Sequence, residues 1–432
     1  MADLAHSYRA CGVFALVTIL TGCLGASSTP LTPSSAEFAA THGATQEEAK
    51  YHLLFSFENN SRSGEHPSGG LVYINGKFYG TTKSGNTCVS TCEPGDAGTE
   101  FSITSSGKEK LLYDGFQGLP NAIFPWGPLT YFQGELFGAS PEGGSYETGY
   151  FCTGGCGTIF ELSITGSEKV LYSFKGSGED GIQPSAHLLL FKGSLYGVTL
   201  LGGLSESHCE ADGGGCGTIF NVTPAGKEHV LYKFKGYPKD GSAPSAALTA
   251  VDGTLYGTSA SGGNGTKCQG PGTTIPSGCG TIFATSPSGK ERVLYSFKGP
   301  PDGAYPTGAL VYVKGLLYGA TGYGGTSKAC ESGCGTFFSV TTSGKEHVIF
   351  SFKGGQDVFG PSNLLPYNGL FYGIGAGGAY SISATGHETL LHRFASSSPG
   401  TGPPLTVQNG ILYGTTGGGG KAGLGTVYTL TP

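Results

Sequence analysis

The chain is short of charge and of helical pattern. Only 12% of its 432 residues are charged, and its formal net charge is −6. It has no Lys/Arg stripe, which speaks against nucleic acid as a partner. Apolar residues at i, i+3, i+4, i+7 spacing are missing, so no long amphipathic helix is expected. The common catalytic signatures are missing too. There is no Gly-x-Ser-x-Gly elbow, and Gly420-Lys421 is followed by Ala422 rather than the Ser or Thr of a phosphate loop. The G-x-G-x-x-G spacing from Gly418 to Gly423 runs into a strand pattern instead of a helix. The apolar run Ala10 to Leu20 is too short to cross a bilayer comfortably.

What the chain has is glycine, 79 residues of it, placed periodically rather than as low complexity. Seven times a strand pattern ends in aromatic-Gly: Tyr79-Gly80, Phe137-Gly138, Tyr196-Gly197, Tyr256-Gly257, Tyr318-Gly319, Tyr372-Gly373 and Tyr413-Gly414. One unit shows the parts. Leu188 to Lys192, Leu195 to Thr199, Gly217 to Thr223 and Glu228 to Phe234 are four runs rich in β-branched and aromatic residues, bounded by Gly, Pro and Ser. A β-only repeat with seven copies predicts an all-β fold, a seven-bladed β-propeller of four-stranded blades. The phase of the repeat predicts how the ring closes. Residues 51–57 carry a fourth-strand pattern and residues 425–431 a third-strand pattern, so the N-terminal strand should complete the last blade and leave no raw edge.

The expected domains are a signal peptide over 1–22, a Ser/Thr/Pro/Ala-rich tether over 23–50 and the propeller over 51–432. Leu20-Thr21-Gly22-Cys23 resembles the lipobox of bacterial lipoproteins, which implies export and acylation of Cys23. As a flexible coil the tether would reach roughly 30 Å. Ten further cysteines fall in loop pairs: Cys88/Cys92, Cys152/Cys156, Cys209/Cys216, Cys268/Cys279 and Cys330/Cys334. Copies six and seven lack both members, never one, the pattern that disulfides within a repeat would leave. Two cysteines per loop are too few for a zinc site, so no metal is expected.

The composite of Leu-Tyr-Gly, Gly-Gly, Gly-Thr-Ile-Phe, Ser/Ala-Gly-Lys-Glu and Leu-Tyr-x-Phe resembles the Gloeo/Verruco (GloVer) repeat family over essentially residues 51–432. The resemblance implies an exported bacterial protein and carries over no catalytic residue. Copy six departs from it, with Gly373-Ile374-Gly375-Ala376-Gly377-Gly378 for the long loop and Ala379-Tyr380 for Gly-Thr-Ile-Phe.

The loops between strands two and three, and between one blade and the next, should share one face, where binding by a rigid scaffold usually sits. Asp180, Asp240 and Asp302 lie there in Asp-Gly-x-x-Pro turns, with Asp357 a looser copy. Such an Asp either caps its turn or joins a carboxylate ring for an ion or sugar. The candidate binding face adds Trp126, Tyr146, Tyr150 and Tyr305; other loop aromatics include Phe124, Phe151, Tyr323 and Phe359. Exposed rings would suit a sugar, and packing beneath the loops accounts for them equally well. The function that follows is a monomeric, non-catalytic binding or adhesion scaffold for a glycan or protein, without cofactor. The alternatives are a carbohydrate-active hydrolase or lyase using Glu179 or Asp180, and a structural envelope component.

Overall fold

The structure, a computed structural model, describes residues 49–432 apart from 59–63, 86–97, 115–118, 126, 148–149, 177, 179, 186, 205–208, 210–213, 270–276, 356–357 and 395–402. Each repeat is an antiparallel four-stranded sheet, and seven sheets form a propeller. In the third blade, Leu189–Phe191, Ser194–Gly202, Thr218–Val222 and Glu228–Lys233 pair in that order. A short segment before the first strand, Gly181–Pro184, also pairs with the end of the second. Among the described residues the one helical element is a single 3-10 turn, Tyr150–Cys152.

The aromatic-Gly signature has a steric cause. Phe220, on the third strand, lies across Gly197 on the second, while Leu188 closes the same spot from the first. A Cβ there would sit under 3.0 Å from the ring, and the same holds at Gly80, Gly138, Gly257, Gly319, Gly373 and Gly414. Glycine is required for this close approach, not for its torsion freedom. In the irregular sixth blade Tyr380 lies over Gly373 in the same way, and Gly378–Ser383 keeps its place between Leu370–Ala376 and Glu388–Arg393. Its shortened loop leaves the ladder intact.

At six joints, among the described residues, the Phe just after an outer strand joins one blade to the next. Phe174 meets Phe220 edge-on at 5.2 Å, Phe234 meets Phe283 at 5.1 Å and Phe297 meets Phe338 at 5.2 Å. Phe352 with Tyr380 and Phe394 with Tyr428 repeat the geometry at 5.1 and 5.2 Å. Each such pair contributes roughly 0.5–1.5 kcal/mol beyond its burial. Surface ion pairs such as Lys169–Glu161 add little.

The ring closes as the phase of the repeat requires. Lys50–Ser56 pairs antiparallel with Thr426–Thr431, and the Phe57 N–H donates to the Gly425 carbonyl at 3.0 Å. Phe57 then meets Phe101 of the first blade edge-on at 5.2 Å, so the last joint uses the same contact as the others. Thr406 and Thr415 of the last blade donate their hydroxyls to the Leu71 and Gly69 carbonyls of the first.

Four of the five cysteine pairs are disulfides within one loop: Cys152–Cys156, Cys209–Cys216, Cys268–Cys279 and Cys330–Cys334. Cys88 and Cys92 lie outside the described residues, as does Cys23.

Candidate binding face

The long loops do share a face. The Gly203, Gly263 and Gly325 N–H groups, from loops between strands two and three, donate to the carbonyls of Asp180, Asp240 and Asp302 in the blade-to-blade connections.

Much of what the sequence repeats on this face is a latch between blades. In blades 3 to 5 the residue before the Pro of the Asp-Gly-x-x-Pro turn donates its N–H to the second cysteine carbonyl of the preceding blade. Gln183 donates to Cys156, Ala243 to Cys216 and Tyr305 to Cys279, all near 3.0 Å. The same residues take left-handed φ values of 53–56°. The prolines then cover the glycines after those cysteines: a Cβ on Gly157, Gly217 or Gly280 would strike Pro184, Pro244 or Pro306. Where the seventh blade has no cysteine, Leu424 takes its place and accepts from the His66 N–H at 2.8 Å.

The aspartates belong to this latch. Asp180 is 5% exposed and accepts three hydrogen bonds: Tyr172 Oη at 2.8 Å, the Lys175 N–H at 2.8 Å and its neighbour Gly181 N–H at 2.7 Å. Asp240 has the same partners in Tyr232, Lys235 and Gly241, and Asp302 has them in Tyr295, Lys298 and Gly303. Three of the roughly four lone-pair sites on each carboxylate are thus taken by the fold. Of the aromatic candidates, Tyr146 is 39% exposed and Phe359 36%. Tyr305 is half-buried, edge-on to Tyr323 at 5.6 Å, with its hydroxyl donated to the Gln269 carbonyl at 3.1 Å. Tyr150 opens the 3-10 turn. Trp126, Asp357 and Glu179 lie outside the described residues.

Among the joints of blades 1 to 5 the repeat breaks between blades 1 and 2. The residue before the Pro is Phe124, again left-handed at φ 56°. Lys83 stands where other blades carry Pro141, Leu200, Ala260 or Gly322, and Glu142 stands where they carry Ser84, Leu201, Ser261 or Tyr323. All three side chains are half-buried. The Lys83 ammonium lies 5.9 Å from the Phe124 ring centre. Burial lowers the Lys83 pKa and raises that of Glu142, and each charge partly offsets the shift of the other. Deeper in the same joint Glu100 replaces the Ile159, Ile219 and Ile282 of other blades. It is 0% exposed, neither carboxyl oxygen has a hydrogen-bond partner, and the hydroxyl of Thr81 directly opposite is unpartnered too. Burial, with Glu135 nearby, pushes its pKa up to about 8. Reading the loops as loops misses Lys83, Glu142 and Glu100; superposing the repeats strand by strand brings them out.

The repeat model for Gloeobacter/Verrucomicrobia matches residues 89–273 and 150–384. The chain belongs to that family. No curated protein matches it in sequence. Among solved structures it resembles virginiamycin B lyase from Staphylococcus aureus, at 15% identity and TM-score 0.54, covering 89% of this chain and all of that one. The WD40 propeller domain of Doa1 is similar at 10% identity and TM-score 0.50, over 88% of this chain and 97% of that one. At such identities the likeness concerns the fold alone.

Proposed function

We propose that this GloVer-repeat propeller is an exported, lipid-anchored binding scaffold whose ligand contacts the long-loop face over blades 1 and 2. The observation that carries the reading is the set Lys83, Phe124 and Glu142: a donor, an apolar ring and a carboxyl acceptor together, with both charges at positions that are uncharged in the other blades. A repeat protein departs from its own pattern where function outweighs regularity. The commitment of Asp180, Asp240 and Asp302 to blade latching favours binding over carboxylate catalysis on that face. The loop disulfides favour an oxidising, exported setting, and Cys23 supplies the anchor in this reading.

The test is a screen of surface glycans and peptides against the wild type and a Lys83→Ala/Glu142→Ser variant. Binding lost in the variant, with ligand recovered unchanged from the wild type, supports a receptor. Product formed by the wild type and abolished by Glu142→Gln would make the protein an enzyme. For the anchor, Cys23→Ser should release the protein from membranes; unchanged membrane fractionation would refute acylation at that residue.

A further inference from the structure

Three successive joints place two carboxyl groups on one tyrosine. Tyr172 on the outer strand of blade 2 donates to Asp180, while Glu228 at the start of blade 3's outer strand reaches the same phenol. Tyr232 with Asp240 and Glu291 repeats this one joint further on, and Tyr295 with Asp302 and Glu346 repeats it again. A phenol has one proton to give. In each joint it goes to the aspartate, which two backbone N–H groups already hold as an anion. The glutamate is left with the phenol's lone pair on one side and nothing on the other: Oε1 of Glu228, Glu291 and Glu346 is buried without a partner. An ionised glutamate would face both a lone pair and a second carboxylate. A protonated one donates to the phenol oxygen and completes a chain from glutamic acid through tyrosine to aspartate.

The joint between blades 1 and 2 is a control within the molecule. Asn121 stands where the aspartates stand, and there the glutamate itself is the acceptor. Glu168 takes Tyr113 Oη at 2.9 Å and the Ala122 N–H at 3.0 Å.

We propose that blades 2 to 5 are clasped by three proton-holding joints, Glu228–Tyr172–Asp180, Glu291–Tyr232–Asp240 and Glu346–Tyr295–Asp302, which tighten the ring in mildly acidic surroundings and loosen it in alkaline ones. The charged groups facing these glutamates fit that direction. Burial and the paired aspartate push Glu228, Glu291 and Glu346 up to about 7, against smaller opposing effects of the tyrosine at each joint and of Lys175 and Lys235 at the first two. An acid whose folded pKa is raised gives stability that is full below its unfolded pKa, near 4.5, and is lost as pH rises through about 7.

The experiment follows thermal unfolding from pH 5 to pH 8.5 in the wild type, the Glu228→Gln/Glu291→Gln/Glu346→Gln variant and Glu168→Gln. Glutamine donates to the phenol at every pH, so the triple variant should decline less than the wild type, with the share of Glu100 and Glu109 remaining, and match or exceed the wild type at pH 8.5. Burial raises the Glu168 pKa as well, so Glu168→Gln should flatten the decline by one group at most, less than the triple variant does. A triple variant with the wild-type slope, a wild type that gains stability as pH rises, or equal flattening by Glu168→Gln would each overturn the proposal. Infrared spectra at pH 6 give a readout independent of stability. The protonated-carboxyl band should weaken in the triple variant, and in Glu291→Gln alone if the triple variant does not fold. No such band in the wild type would sink the idea.

Discussion

The joints joining blades 2 to 5 and the joint between blades 1 and 2 are built on one frame and filled differently. In the first group the same Asp, Tyr, Pro and Phe recur with hydrogen bonds that agree to about a tenth of an ångström. In the second, Asn121 replaces the aspartate, Glu100 replaces a buried isoleucine, and Lys83, Phe124 and Glu142 gather above. Residues that recur across the joints of blades 2 to 5 are explained by closing the ring. Residues that break the pattern, one of them a buried carboxyl with no partner, gain nothing for closure, so their reason lies elsewhere. A repeat thus separates structural from functional residues without any second sequence.

Damage to the repeated frame should have the largest effect. Phe57→Ala removes the ring that seals blade 7 to blade 1 and should destabilise the domain by about 3–5 kcal/mol. Chemical denaturation should show one lowered cooperative transition, whereas fraying of residues 50–57 alone would mean that the ring does not depend on its closing strand. Opening the Cys268–Cys279 loop by changing both to Ser should remove about 3 kcal/mol by loop closure. Denaturant midpoints under oxidising conditions would measure it; an unchanged midpoint would show that latch hydrogen bonds alone hold that loop.

Repairing the broken joint should act in the opposite direction. Glu100→Ile restores the residue of the regular blades and removes an unpartnered carboxyl, a gain of about 1–3 kcal/mol. The gain should grow from pH 5 to pH 8, since wild-type Glu100 loses its proton through about 8 and an ionised carboxylate is worse buried. A loss of stability on this substitution would mean that Glu100 holds a structural partner.

The frame was legible in the sequence because each of its parts is sterically compelled in every copy. Gly197 must lack a Cβ under Phe220, and the lone opening strand has only one edge to complete, so blade count and closure could be read by counting. The site was less legible. Asp180, Asp240 and Asp302 look like a ligand ring because turn aspartates and ligand aspartates share one pattern; only their three donors decide. Lys83 and Glu142 were hidden because single charged residues beside a loop carry no signal until the strand registers superpose them on Leu200 and Leu201.

The claim that broken positions serve binding while repeated ones serve the fold meets its most direct test in one unfolding curve. Lys83→Ala, Phe124→Ala and Glu142→Ser together install the residues that blade 4 carries as Ala260, Ala243 and Ser261. The account predicts that this variant melts at or above the wild-type temperature. A melting temperature lowered as far as that of Phe57→Ala would contradict it, because the joint between blades 1 and 2 would then be part of the frame.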